Sequence, residues 1–233
     1  MTSTPVRYGP VKRRRRQRTE TLRPRVERVY KLASSLHVVS GSGLEIAERA
    51  AEFRRATASQ MGYPAQRKYL WPDEHSENAT YFLIQFGDET IATSRVVTDE
   101  PLADLSATVL DRDHAARLQD LESQGNLGSI GRLWSSAGGE LGAAAGWVTY
   151  RAFLLNGPAP RPFYVSEVTT VLRRRLLHLG VRCDTIGVTS IPQITVEPVQ
   201  FDVHQIIVDV LDSDTGFARF LDDGLEIDLR GSS

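Results

Sequence analysis

The stretch "GNLGSIGRLWSSAGGE", residues 125–140, sets an arginine, Arg132, inside an apolar frame of Ile130, Leu133 and Trp134. Taking a guanidinium out of water is costly unless it is paired, so Arg132 either stands at a strand end facing solvent or holds an anion. Its flanks set the context. A polar helix over roughly 111–123 leads through Gly125-Asn126 into this short strand. The strand then feeds "ELGAAAGWVTYRAFLLNG", a helix over about 140–156 closed by Gly157-Pro158.

Working outward, "ATYFLIQF" and "TIATSRVV" flank Gly87-Asp88-Glu89 and read as two strands joined by a hairpin turn. Before them, "SGLEIAERAAEFRRATASQMG" places Ser42 and Glu45 in capping-box register, with Ile46, Ala50 and Phe53 on one face. That predicts a helix over about 43–61. Residues 20–38 are expected to hold a short helix interrupted near Pro24. Downstream, "RPFYV" reads as a short strand. "SEVTTVLRRRLLHLG" reads as a helix with Val168, Val171, Leu172 and Leu179 on one side and Gly180 as its stop. "VRCDTIGV" and "ITVEPVQF" are strands, and "VHQIIVDVL" spaces Val203, Ile206, Ile207, Val210 and Leu211 as an amphipathic helix. There is no internal repeat.

A hydrophobic content of 41% and a charged content of 24% match a soluble globular chain. No apolar run approaches the ~20 residues a membrane span requires. The early arginines lack a following apolar h-region, so a cytoplasmic location is expected. One cysteine, Cys183, excludes an internal disulfide, and the five scattered histidines offer no metal-ligand spacing, so no metal is expected. Charge is unevenly spread: residues 1–31 hold eleven Lys/Arg and two Glu, whereas 197–233 hold nine Asp/Glu and two Arg. "KRRRRQR" at 12–18 reads as a solvated tail, or else as an arm for nucleic acid or an acidic partner. The expected division is a basic, disordered tail over 1–19, a helical or irregular segment over 20–41, a main domain over 42–211 and an acidic extension over 212–233.

This α/β (α+β) succession resembles the GNAT acyltransferase fold, a mixed sheet with a helix crossing after the fourth strand. Four stretches carry the likeness across about residues 44–211: "YFLIQFGDETIATSRVV", "SIGRLW", "LLHLGVRCDTIG" and "ITVEPVQFD". Their order is similar to the branch containing acyl-homoserine-lactone synthases and long-chain N-acyl amino acid synthases. The resemblance implies that Arg95 is the arginine ending the third strand. It makes Arg132 the arginine of a central motif, Glu-x-(Ser/Gly)-Arg, with Gly131 at the small position. Ser129 departs from that motif by replacing its glutamate. The acidic residues usual before the second strand correspond to Asp73, Glu74 or Glu77, a choice left open.

The resemblance further implies an enzyme: an N-acyltransferase with no tightly bound cofactor, using an acyl-phosphopantetheine thioester as co-substrate. Such transfer needs an unprotonated amine, a path for its proton and donors at the carbonyl oxygen, and no side-chain nucleophile. Arg132, Ser129 and Arg95 are the catalytic candidates. Ile130, Gly131, Leu133, Trp134, Gly138 and Gly139 are the candidates for acyl or pantetheine binding, although residues such as Trp134 and Phe53 are more often plain core than acyl pocket. "RLWSSAGGEL" lacks the Arg/Gln-x-x-Gly-x-Gly/Ala spacing that cradles a pyrophosphate, which favours acyl carrier protein over acyl-CoA. Arg173, Arg174 and Arg175, joined by Arg151, form either a solvated surface or a docking patch for an acidic carrier. His178 and His204 receive no role. Two alternatives stand beside this reading: an acyl-homoserine-lactone synthase using S-adenosylmethionine, and a catalytically silent GNAT-fold binding protein.

Overall fold

Alternating apolar residues shape the centre of the molecule: Thr80–Phe86 (β2) and Glu89–Val97 (β3) pair antiparallel across the turn at Gly87, whose φ of 61° suits glycine. The computed structural model describes residues 24–62, 70–73, 75–105, 108–156, 161–189, 196–213 and 215–231. The expected tail over 1–19, Glu74 and the expected helix stop at Gly157-Pro158 lie outside them.

The remaining elements are α1 (Pro24–Ser35), β1 (His37–Gly41), α2 (Leu44–Gln60), β4 (Thr108–Leu110), α3 (Arg112–Ser123), β5 (Leu127–Ser135) and α4 (Gly139–Asn156). They are followed by β6 (Phe163–Thr169), α5 (Thr170–His178), β7 (Asp184–Thr185), β8 (Gly187–Thr189), β9 (Val196–Asp202), α6 (Val203–Asp212) and α7 (Gly216–Gly231). Seven strands form one sheet in the order β1-β2-β3-β5-β6-β9-β7, and β4 pairs with β8 separately. Every pair in the large sheet is antiparallel except β5 with β6, and α4 makes the crossing between those two. This is the expected mixed sheet. No described helix is long and apolar enough to cross a membrane.

The sheet separates two cores. On one face α1, α4, α6 and α7 bury Ala33, Trp147, Phe153, Phe201, Ile206 and Phe217. On the other, α2 closes over Tyr81, Leu83 and Val97, while Leu118 of α3 packs with Leu105, Leu127 and Val165. Strands bury alternate residues on opposite faces, so the second face is the one that carries Arg95 and Ser129.

Several local expectations are corrected. α1 is described from Pro24 onward, and residues 20–23 of the expected interrupted helix lie outside the described residues. Ser42 does not cap α2: its Oγ lies 3.2 Å from Thr80 Oγ1, and the cap is Gly43 without a side-chain bond. Residues 166–169 extend strand β6, and the helix begins only where the Thr169 hydroxyl accepts from Leu172 N at 3.2 Å. β1 and β4 were not anticipated, since "HVVSG" and "TVL" are too short to show a period. The chain after residue 211 also joins the main core, because Phe217, Ala218, Phe220 and Leu221 of α7 are buried against α1 and α4.

Candidate active site

Arg95 on β3 stands opposite Gly131 on β5, and paired residues share a face, so both look toward α2, the segment before β2 and the loop after β3. The Arg95 side chain is wholly buried, a state its partners make tolerable. Its Nη1 donates to Asp73 Oδ1 at 2.7 Å, and its Nη2 donates to Asp104 Oδ1. Asp104 turns its other oxygen to Ser129, whose hydroxyl donates at 2.6 Å. Asp73 gives its other oxygen to Arg132 Nη2, and Arg132 Nη1 donates to the Trp71 carbonyl at 2.6 Å. One continuous network therefore runs Ser129, Asp104, Arg95, Asp73, Arg132.

The network answers the question that Arg132 posed. Its anion is Asp73, from the segment before β2, rather than a carboxylate of the hairpin. Ser76 fixes Asp73 by donating to its Oδ1 at 3.0 Å while accepting from its backbone N–H at 2.7 Å. Burial opposes ionisation of Asp73, but the hydrogen bond from Arg95 and the charges of Arg95 and Arg132 outweigh it and hold the carboxyl down at about 2. Burial and the neighbouring Arg95 charge lower the pKa of Arg132. Of the three acidic candidates, Asp73 joins this network and Glu77 is exposed, while Glu74 lies outside the described residues. Asp104 was not foreseen, and it supplies the negative charge that the Ser129 position lacks.

β5 changes character at this point. Its parallel ladder with β6 runs only from the pair Leu127 and Phe163 to the pair Ser129 and Val165, although β5 continues to Ser135 and β6 to Thr169. Against β3, the step from Thr93 to Arg95 faces the longer step from Trp134 to Gly131, a bulge in β5. Arg132 sits in this bulge with φ of 53°, a left-handed conformation that a side chain adopts only under strain. The two strands thus part where the arginine network begins. Gly131 is small for a reason visible here, since a Cβ would stand 3.3 Å from Asp104 Oδ2. Ile130 and Leu133 pack partly into the main core, and Trp134 is half-buried.

Three further residues on this face were missed by sequence. Glu167, on the part of β6 beyond the ladder, accepts from the Thr108 hydroxyl at 2.6 Å. Burial, and then the Asp104 charge, push its carboxyl above the usual range despite that bond. Tyr81 is buried opposite Arg95. Arg54 projects from α2, wholly buried, with no hydrogen-bond partner for Nε, Nη1 or Nη2 among the described residues. The signal for Arg54 was its phase: it continues the stripe Ala47, Ala50, Ala51 and Ala58 that faces the sheet.

The other candidates lie elsewhere. Gly138 and Gly139 form the entry to α4, with Gly142 N donating to Gly138 O at 3.0 Å. Glu140, in the first turn, is held by Arg28 through bonds of 2.8 to 3.1 Å. On α5, Arg174 and Arg175 are exposed while Arg173 bonds Glu197. Arg151 lies at the seam of α4 and α7, its guanidinium 3.9 Å from the centre of the Phe220 ring, away from the α5 arginines in role. Among the described residues no group of His, Cys, Asp or Glu is arranged to hold a metal ion.

No protein-family model matches the chain, and no curated protein is significantly similar to it in sequence. Solved structures do match in shape. TofI, in a ternary complex with an inhibitor and MTA, aligns with a TM-score of 0.52 at 16% identity, over 78% of this chain and 99% of its own. FeeM, an N-acyl amino acid synthase from uncultured soil microbes, gives 0.51 at 12% identity, over 79% and 97%. BjaI, a CoA-dependent acyl-homoserine lactone synthase with SAM and isopentyl-CoA, gives 0.51 at 13% identity, over 80% and 98%. The chain has a GNAT-like fold. At such low identity the likeness establishes architecture, and the chemistry rests on the side chains above.

Proposed function

We propose that this chain is an N-acyltransferase that moves an acyl group from a phosphopantetheine thioester to the amine of an amino acid or related small molecule. The observation that carries the reading is the parting of β5 from β6 at the bulge of Arg132, beside the buried arginine and carboxylate network. A thioester arm fits between the parted strands as an added strand, and main-chain N–H groups of β5 beyond Ser129 serve the carbonyl oxygen as negative charge develops. The acceptor nitrogen attacks the carbonyl carbon, the C–S bond breaks, and the thiolate leaves as the pantetheine thiol after taking a proton. Glu167 is the group suited to receive the amine proton, because its raised pKa brings its basicity toward working pH. Asp104 and Ser129 keep the charge network beside it in register.

The donor we favour is acyl carrier protein. Gly138 and Gly139 stand outside the spacing that cradles a pyrophosphate, and the first-turn carboxylate of α4, Glu140, is taken up by Arg28. Arg174 and Arg175 present exposed positive charge to an acidic partner. The same fold serves a CoA-dependent enzyme in BjaI, so the donor is decided by these side chains and not by architecture. Lactone formation from S-adenosylmethionine is the second reading, favoured by the shape shared with BjaI in its SAM complex.

The test is acyl transfer with matched acyl-carrier-protein and acyl-CoA donors over an amine panel that includes S-adenosylmethionine, products read by mass. Expected are acyl amides, a higher kcat/KM with the carrier donor that shrinks as salt rises, and a fall of about 100-fold in kcat for Glu167→Gln. Lactone products would transfer weight to the second reading. Equal use of CoA at low salt would defeat the donor assignment, and an unchanged kcat in Glu167→Gln would remove that residue from proton transfer.

A further inference from the structure

Arg54 lies on this face outside the network, and no described side chain takes up its charge. Its guanidinium is wholly buried, all three nitrogens lack a hydrogen-bond partner among the described residues, and the group keeps its proton: burial, Arg132 and Arg95 lower its pKa only to about 10. The nearby carboxylates are already engaged, Asp73 by Arg95 and Arg132, and Asp104 by Arg95 and Ser129. Among the described residues three guanidiniums thus meet two carboxylates. The Tyr81 hydroxyl, buried near enough to act on both Arg54 and Arg95, also reaches no ordinary hydrogen-bond geometry among the described residues. Native interiors leave few such donors orphaned, and an unmatched buried guanidinium calls for an anion with two acceptor oxygens.

We infer that Arg54, with the Tyr81 hydroxyl beside it, is the receptor for the acceptor's α-carboxylate, so that the acceptor is an α-amino acid and not a simple amine. The inference rests on the acyltransferase reading and deepens it. A carboxylate at Arg54 lies next to Arg132 at the parting of β5 from β6, which keeps the neighbouring amine close to the incoming thioester. The planar fork of arginine matches a carboxylate by two parallel bonds, whereas an amide or an ester offers at most one charge-free acceptor. The arginine is left in a costly state until the substrate arrives, so part of the selectivity is stored in the empty protein.

The decisive measurement is thermal denaturation of the full chain with each common amino acid and with S-adenosylmethionine, each beside its carboxamide where one exists, in wild type, Arg54→Gln and Arg54→Lys. The wild type is expected to gain several degrees with its cognate amino acid and little with the carboxamide. Arg54→Gln should melt as high as or higher than wild type without ligand, because an unpaired buried charge is gone, yet lose the ligand-induced gain. Arg54→Lys should keep part of it. In turnover, replacing the acceptor's carboxylate by a carboxamide should raise KM at least about tenfold in wild type, and that discrimination should vanish in Arg54→Gln. A response to S-adenosylmethionine alone would place its carboxylate at Arg54 in place of a free amino acid's. Equal gains with acids and carboxamides, no gain with any acid, or discrimination that survives Arg54→Gln would overturn the inference. Absence of acyl transfer with every donor, beside an Arg54-dependent thermal gain, would instead reject the enzymatic reading and leave the carboxylate site standing.

Discussion

Asp73 is the residue on which the arginine pair depends. Replacing it with asparagine keeps the shape but strips the charge from between Arg95 and Arg132, leaving two buried cations with one carboxylate, Asp104. Removing one partner of a buried pair costs about 3–5 kcal/mol, so Asp73→Asn should melt well below wild type even though the segment that carries it lies at the surface. Acid adds a second check. The Asp73 carboxyl is depressed to about 2 in the folded chain, against roughly 3.9 unfolded, so its contribution is complete above about pH 4 and is lost as pH falls toward 2. Denaturation midpoints measured across that window should fall more steeply for wild type than for Asp73→Asn. Parallel slopes would show that the pair is not what holds the segment down. Glu167 has the opposite sign: its raised pKa means stability present below the unfolded carboxylate range and lost as pH rises through the folded value.

At the scale of elements, β5 has two halves with different duties. The first half, Leu127–Ser129, is buried and held by its ladder to β6, while Ile130–Ser135 is only half-buried and pairs with β3. Gly128 makes the locked half possible, because a Cβ there would meet the Tyr164 ring of β6 at 2.6 Å and the Val97 carbonyl of β3 at 3.3 Å. Gly128→Ala should therefore force β5 and β6 apart below the natural opening, at an overpacking cost of about 1–3 kcal/mol. The expected result is a lowered Tm together with a kcat loss disproportionate to it, since the ladder that sets the angle of opening is only three pairs long. A variant with wild-type Tm and activity would show that the close approach is relieved elsewhere. The bulge that follows works with this lock: it turns Arg132 toward Asp73 on the face opposite the main helical core.

For the whole molecule, the first and last helices close one core. Tyr30 of α1, Trp147 of α4 and Phe217 and Phe220 of α7 stack with ring centres 5.8 to 6.1 Å apart, and Arg28 ties α1 to Glu140 of α4. Burying a Phe or Leu side chain is worth about 1.5–3 kcal/mol, so Phe217, Phe220 and Leu221 together match a large share of a domain's net stability of roughly 5–15 kcal/mol. Truncation before Gly216 is expected to abolish the cooperative melt, measured by circular dichroism, and to leave an aggregation-prone chain. A truncated protein that still melts cooperatively would make α7 an accessory to a core complete without it.

The sequence alone determined the hairpin at Gly87, the strand with Arg132 and the helix after it, because these rest on local period and on turn residues that act within a few positions, while the mixed sheet and its crossing came from the resemblance that the order of elements carries. The resemblance, carried by four stretches read together, also marked Arg95, Arg132 and Ser129. Boundaries were less legible: Thr169 and Asp202 cap their helices through hydrogen bonds of 3.2 and 3.0 Å, and only those bonds show where strand gives way to helix. The partners were scarcely legible: Asp73 stood as one of three acidic candidates, and Asp104, Arg54 and Glu167 were not marked. Asp73, Asp104, Arg54 and Glu167 arrive from a loop before β2, a loop after β3, a helix and a distant strand, and nothing in their own neighbourhoods brings them together. Arg54 beside Arg55 reads as solvated charge until α2 is seen lying on the sheet. Long-range packing alone turns those four isolated charges into one buried site, because the low dielectric of the interior makes each charge answer to its neighbours instead of to water.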